Sequence, residues 1–481
     1  MSIGELYDGH DALGLAALVR AGEVAPDELL DEALRRIDER NPVVNAVWTV
    51  FEARARRQIA GGLGHSPLSG VPLLLKDLGV QLEGEVTTQG SRFFADDTAD
   101  VTSTIVERYL AAGLVVFGKT ATPEFGLNCS TEPVLHGPTR NPWDTSRSAG
   151  GSSGGAGAAV AAGIVPVAHA TDGGGSIRIP ASCNGLFGLK PSRGRIPAGP
   201  PLGETWNGLS TSHAITRTVR DSAALLDVAA GASIGDPYAS PPLPPGGFLA
   251  AMHDDPGRLR VAFATQARPG SDVDRECIVA AERAATLLAQ HGHDVREVPL
   301  PIDWSTFLPA FGTVTGMHIA AAIAARAQQL GRDPGPDDLE AVVLARVVEG
   351  RSRLAIDYIA AIQTLHRFGR HIGAFFETVD LVVTPTLGSV PLPLGELDAN
   401  SADLATFGAR AGQVSQFLGW VNATGLPAMS VPLHWTPEGL PVGAHVVARF
   451  GSEATLFAIA RQLEEAAPWW STRAPIAGSS R

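Results

Sequence analysis

Two clusters of glycine and serine hold the residues best suited to covalent chemistry: Gly150-Gly151-Ser152-Ser153-Gly154-Gly155 and Thr171-Asp172-Gly173-Gly174-Gly175-Ser176. Consecutive glycines leading into a serine let backbone N–H groups converge on one point, and such a nest suits an oxyanion. A serine beside it becomes a nucleophile once a base takes its proton. Flexible linkers are also rich in Gly and Ser. That alternative fails on what lies between the clusters, an Ala-rich helix pattern at 156–162 and an apolar strand pattern at 164–168. The glycine is also local: 14 of the 56 residues from 148 to 203 are Gly, against 54 in the whole chain of 481.

The elements around the clusters alternate between helix and strand. From Ala12 to about Ile59 apolar residues recur at spacings of three and four, broken by Gly22 and Asn41-Pro42, which predicts helices. Residues 102–112 read as a helix capped by Gly113, and Leu114-Val115-Val116-Phe117 as a fully apolar strand of the kind covered on both faces. The pattern returns at 164–168, 260–264 and 380–383, with a helix over 274–291. Residues 232–256 form a Pro-, Gly- and Ser-rich connection. Residues 305–378 are mostly helical, with a loop at 331–338, and the stretch after Trp470 is expected to fray. The fold class expected is α/β, with a mixed, mostly parallel central sheet covered by helices on both faces.

Composition narrows the partners. With 44% hydrophobic residues and 18% charged ones, the chain can bury a large core, which excludes a disordered or collagen-like protein. Lys and Arg total 37 and Asp and Glu 50, a net charge of −13 that speaks against nucleic-acid binding. The N-terminus lacks a basic then apolar leader, and no stretch approaches ~20 uninterrupted apolar residues. A cytoplasmic protein without a membrane partner is expected. Cys129, Cys183 and Cys277 are far apart and odd in number, so neither a disulfide framework nor a metal knuckle is expected.

The segment 150–191, GGSSGGAGAAVAAGIVPVAHATDGGGSIRIPASCNGLFGLKP, closely resembles the amidase signature family of serine hydrolases. The resemblance extends through Gly70-Val71-Pro72-Leu73-Leu74-Leu75-Lys76-Asp77, Gly118-Lys119-Thr120, Gly137-Pro138-Thr139-Arg140-Asn141-Pro142-Trp143 and Thr424-Gly425-Leu426-Pro427-Ala428, and is weakest between about 232 and 378. It implies one amidase domain over 1–481, with a signature core at about 65–235 and 380–470 and a more variable, substrate-side helical region at about 240–378. It also implies a triad of Lys76, Ser152 and Ser176, with a cis peptide between Gly151 and Ser152. Ser176 is then the nucleophile, and Lys76, desolvated by Leu73, Leu74 and Leu75, takes its proton through Ser152. The backbone N–H groups of Gly173, Gly174, Gly175 and Ser176 are expected to hold the oxyanion. Ser153 supports the bridging serine, and Asp172 and Arg178 tie the loop down. Ala156 and Gly173 stand where many family members carry a Glu and a larger residue.

The pattern is closest to bacterial amidases related to those acting on linear or cyclic aminohexanoate amides. This implies hydrolysis of a small-molecule carboxamide, with ester or carbamate cleavage as a side activity, no metal or organic cofactor, and a monomer or homodimer. The pocket is expected from the 305–378 helices and from loops near Cys129, Trp206 and Asn422. Two alternatives come from other classes: the amidase subunit of a tRNA-dependent amidotransferase, and a non-hydrolytic binding protein on the same fold.

Three other motifs compete. Gly113 to Thr120 matches the GxxxxGK[ST] phosphate loop, but its four intervening residues are the apolar strand itself rather than an exposed turn. Gly150 to Gly154 satisfies GxSxG, whose triad needs a downstream histidine; His434 and His445 are available, each in a strand-like stretch. Cys183 could be imagined as a thiol nucleophile, and a buried inert cysteine is the better expectation.

Overall fold

The computed structural model describes residues 1–268 and 270–477. Eleven strands form one sheet in the order Val47–Val50, Val115–Thr120, Pro72–Lys76, Val167–Asp172, Thr211–Thr216, Phe187–Lys190, Ala428–Trp435, Pro441–Ala448, Leu381–Pro385, Arg260–Phe263 and Asp294–Glu297. Every residue is buried in Pro72–Lys76, Val115–Thr120, Val167–Asp172 and Pro441–Ala448, which requires cover on both faces. The helices supply that cover. The sheet is mixed, as expected, although its parallel share is smaller than the helix–strand alternation suggested. Pro72–Lys76 runs parallel to both neighbours, as does Arg260–Phe263, whereas the pairings from Val167–Asp172 across to Leu381–Pro385 are antiparallel. The hairpin joining Ala428–Trp435 to Pro441–Ala448 sets part of this, because adjacent strands joined by a tight turn must run in opposite directions.

Three local expectations are corrected. Val47–Val50, inside the stretch expected to be helical, is an edge strand; its Val-Trp-Thr-Val sequence favours the pleated surface of Val115–Thr120, with which it pairs. The strand placed at 164–168 runs instead over Val167–Asp172. Pro166 lacks the N–H needed to continue a ladder upstream, and polar His169, Thr171 and Asp172 are drawn into the sheet by pairing with Thr211–Thr216. The stretch after Trp470 packs on the body as far as residue 477: Trp469 Nε1 donates to Arg217 O (2.9 Å), Arg473 Nη2 donates to Asp8 O (2.9 Å), and Ala474 and Ala477 are buried. Residues 478–481 lie outside the described part.

The 305–378 region forms the helices Trp304–Leu330, Ala341–Ser352 and Ala355–Phe375, with the loop between the first two. Trp304–Leu330 is, among the described residues, the one helix long and apolar enough to cross a membrane. Its Phe307, Ala310, Val314, Ile319 and Ile323 are buried in the protein.

Candidate active site

Lys76 is the last residue of its strand, fully buried. The neighbouring strand Val167–Asp172 presents His169 and Thr171 to it from one face, as the two-residue period of a strand requires. The Lys76 N–H donates to His169 Nδ1 (3.2 Å), and Lys76 Nζ donates to Thr171 Oγ1 (2.9 Å) and to Ser152 Oγ (2.7 Å). Burial pushes the Lys76 ammonium down to about 7, against the opposing pull of the Asp172 carboxylate. Burial and the nearby lysine charge push His169 down to about 3, which keeps the ring neutral.

Ser152 lies in the loop between the strand Asp144–Ser148 and the helix Gly154–Ala161, which begins two residues later. The peptide between Gly151 and Ser152 is cis. Gly151 has no room for a side chain: a Cβ there would lie 2.6 Å from Asn128 O and 2.8 Å from Ser130 O. Thr131 pins the loop on both sides, its Oγ1 donating to Gly150 O (2.9 Å) and accepting from the Gly154 N–H (3.2 Å). The Ser153 N–H donates to Ser176 O (3.3 Å), which joins the two Gly/Ser clusters directly. The Ser153 hydroxyl donates to Thr171 O (3.2 Å). Ser153 therefore steadies the strand that holds Thr171 against Lys76.

Ser176 ends the second cluster and is half-buried. It opens on the same cavity of about 340 Å³ that Ser152 and Thr171 line. The loop before it is held by Asp172, whose carboxylate accepts from the Gly175 N–H (2.8 Å), the Ile177 N–H (3.2 Å), Arg178 Nε (2.9 Å) and Nη2 (2.8 Å), and Asn422 Nδ2 (2.9 Å). Burial alone would raise this carboxyl; the Arg178 charge and these bonds hold it well below the usual range. Asp172 and Arg178 thus bond to each other, and Asp172 to the backbone on both sides of Ser176. The Gly175 N–H is spent in that tie, so the donors left for an oxyanion are those of Gly173, Gly174 and Ser176.

Of the expected pocket residues, Cys129 and Trp206 line a second, larger cavity of about 720 Å³ that also reaches Ser176. Burial pushes the Cys129 thiol up to about 11. Asn422 is placed differently. It is fully buried under the loop, its Nδ2 also donating to Asp172 O (2.9 Å) and Leu209 O (3.0 Å) and its Oδ1 accepting from Arg178 Nη2 (2.8 Å). Its contacts cross about half the chain, which is why its sequence position gave only its neighbourhood.

The competing motifs are placed elsewhere. Lys119 of the phosphate-loop match is a buried strand residue whose ammonium donates to Val86 O and to Thr87 Oγ1 (2.6 Å). His445 is buried against Arg178 (3.0 Å) and Thr384 (3.2 Å), and His434 meets Glu276 (2.6 Å). Burial pushes the Cys183 thiol up to about 12, which disfavours the thiolate. Among the described residues no group of three His, Cys, Asp or Glu side chains is arranged to hold a metal ion. Thr171 and Thr131 are the contributors that sequence reasoning missed. Thr171 stands two residues after His169 in the sequence, and that alternation was the available signal.

The family model described as Amidase matches residues 28–457. The 6-aminohexanoate-cyclic-dimer hydrolase of Paenarthrobacter ureafaciens is 38% identical over 490 aligned residues, covering 98% of each chain. A solved structure of a 6-aminohexanoate cyclic dimer hydrolase complexed with substrate superimposes with a TM-score of 0.90 at 35% identity, covering 98% of this chain and 100% of that one. A bacterial aryl acylamidase of the amidase signature family gives a TM-score of 0.87 at 27% identity, covering 98% of this chain and 99% of that one. The chain belongs to the amidase signature family and is a hydrolase acting on amide bonds.

Proposed function

We propose that the enzyme cleaves a small carboxamide through an acyl-enzyme on Ser176, with Ser152 and Lys76 as its proton relay. The observation that carries this is the 2.7 Å contact between Ser152 Oγ and the buried Lys76 Nζ, in a setting that favours the neutral amine near pH 7. Ser152 passes its proton to Lys76 and takes the proton of Ser176, whose Oγ attacks the carbonyl carbon. The carbonyl oxygen becomes an oxyanion facing the N–H groups of Gly173, Gly174 and Ser176. Preorganised donors of this kind are worth roughly 2.7–4 kcal/mol each where one has been removed from a comparable site. As the C–N bond breaks, the proton returns from Lys76 through Ser152 to the leaving nitrogen. Water then attacks the ester, giving its proton to the same relay, and Ser176 is released with the acid product.

The whole chain is taken as one catalytic unit, and cyclic aminohexanoate amides head the compounds to test because a relative is named for hydrolysis of the cyclic dimer. Aryl acylamides, esters and carbamates are the next classes to try, since the same nucleophile attacks each of these carbonyls. The test is a hydrolysis panel of these compounds with the native enzyme beside Ser176→Ala and Lys76→Ala. Loss of turnover by about 10³-fold or more in Ser176→Ala is expected for a lost nucleophile; undiminished turnover in that variant would refute the assignment.

A further inference from the structure

The cleft at Ser176 has two arms. The larger is the cavity of about 720 Å³, walled by Leu127, Ile179, Leu308, Phe311, Val342 and Phe407, with the mutually paired Arg346, Glu349 and Arg353 among its lining residues. The smaller, of about 340 Å³, contains Ser152 and Thr171, and its ionisable lining residues are Asp97, Glu204 and His318. Asp97 is met by Arg326 (3.2 Å), Glu204 accepts from the Tyr238 hydroxyl (2.5 Å), and burial holds His318 below its usual range. Lys and Arg are missing from that lining among the described residues.

Among the described residues only Ser176, Gly126 and Trp206 line both arms. Trp206 supplies the bulk of that divide, and its placement is built in. Trp206, Asn207 and Gly208 follow one another in the left-handed region, at φ 53°, 53° and 70°. Non-glycine residues adopt that region at a cost and persist there where the surroundings over-determine them. The ring reaches the oxyanion loop itself: a Cβ on Gly173 would lie 2.6 Å from Trp206 Cζ3 and 2.9 Å from Cε3. Gly173, the position where many family members carry a larger residue, is what makes room for it.

We propose that Trp206 divides the cleft so that an apolar acyl half lies in the larger arm and the amine half, favoured when it carries a positive charge, lies in the smaller arm beside Ser152. The orientation rests on the relay proposed above, in which the leaving nitrogen takes its proton from Ser152, a residue that lines the smaller arm alone. Apolar walls suit a hydrocarbon chain, and with Asp97 already paired to Arg326 the Glu204 carboxylate, which has no Lys or Arg beside it in that lining, is the group that suits an ammonium. The substrate class is therefore an N-acylated diamine or a related amide with a cationic amine half.

The test compares N-(5-ammoniopentyl)octanamide, its uncharged N-pentyl analogue, and N-octyl-6-ammoniohexanamide, which carries the charge on the acyl side. The native enzyme is expected to favour the first over the third by about tenfold or more in kcat/KM, a discrimination within reach of pocket contacts. Glu204→Gln should lower the ratio of the first to the second about threefold, the size expected for a partly solvated charge pair. Trp206→Ala, with Trp206→Phe as the smaller change should the former fail to fold, should cut the preference for the first over the third by at least about fivefold. Equal rates for the first and third compounds, or an unaltered preference in the Trp206 variants, overturn the inference while loss of turnover in Ser176→Ala leaves the function standing. Retained turnover in Ser176→Ala overturns the function itself.

Discussion

At the scale of single residues, the proposed relay depends on keeping one lysine uncharged. Lys76 has no solvent and no directly bonded carboxylate; its Nζ meets two hydroxyls, Ser152 and Thr171, and its own backbone N–H is held by a neutral histidine. Hydroxyls can accept from an ammonium or donate to an amine, so this shell tolerates both states of a proton relay. The sign of the pH dependence follows. Below about 7 Lys76 is protonated and has no capacity to take the serine proton; above it the free amine is present. Acylation measured in a single turnover should rise about tenfold per pH unit below that value and level off above it. Lys76→Met should lower the plateau by roughly 10²–10⁴-fold, the usual worth of a general base. A rate that falls as the solution is brought from acid to neutral would count against this role.

At the scale of elements, the nucleophile's loop is secured by groups remote in sequence. Asp172 ends one strand, Arg178 begins the helix Arg178–Asn184, and Asn422 lies in the helix Gly419–Thr424; all three are fully buried. Removing one partner from such a cluster leaves the others desolvated and unpaired. Arg178→Met should therefore destabilise the fold by about 3–5 kcal/mol in urea unfolding, and Asn422→Ala, which strands hydrogen-bonding groups rather than a charge, by about 1–3 kcal/mol. A stability equal to the native enzyme's in Arg178→Met would show that the pair is dispensable. Asp172 and Arg178 stand out in the sequence because the two residues flank the serine. Asn422 was assigned to the pocket because its motif is near the site, and a motif gives proximity without orientation. The strand at Val47–Val50 was missed for a related reason: four residues between helical patterns carry too little periodicity to declare themselves until a partner strand is known.

At the scale of the molecule, the two cavities are walled by segments spread from Leu78 to Ser415: the loop after Lys76, the serine loops, the 196–212 segment, and the helices Trp304–Leu330, Ala341–Ser352 and Leu404–Val414. The first two of these helices belong to the part of the sequence where family resemblance is weakest and Leu404–Val414 to the signature core, while the sheet beneath holds Lys76 at a strand end and the serines lie on loops. Filling the larger arm should be felt by helices that are distant in sequence. Labelling Ser176 with a long-chain acyl phosphonate should slow amide hydrogen exchange in Trp304–Leu330 and Leu404–Val414 by about threefold or more, since openings of these helices would have to expose the bound chain. The helix Glu453–Ala466, which lines neither cavity, should exchange as before. Equal slowing in all three would point to a global effect on stability rather than to occupancy of that arm.

The sequence by itself determined the α/β architecture and pointed to a candidate nucleophile and base, because these are written in contiguous runs: glycines that must fit where no side chain can, an apolar strand ending in lysine, and helices alternating with strands. Only the tertiary structure decided how the runs meet. It placed Thr171 on Lys76, spent the Gly175 N–H on Asp172, withdrew Asn422 from the pocket and set Trp206 against Gly173. Each of these depends on which side of an element faces which neighbour, and that is fixed by packing between segments tens to hundreds of residues apart rather than by any local pattern.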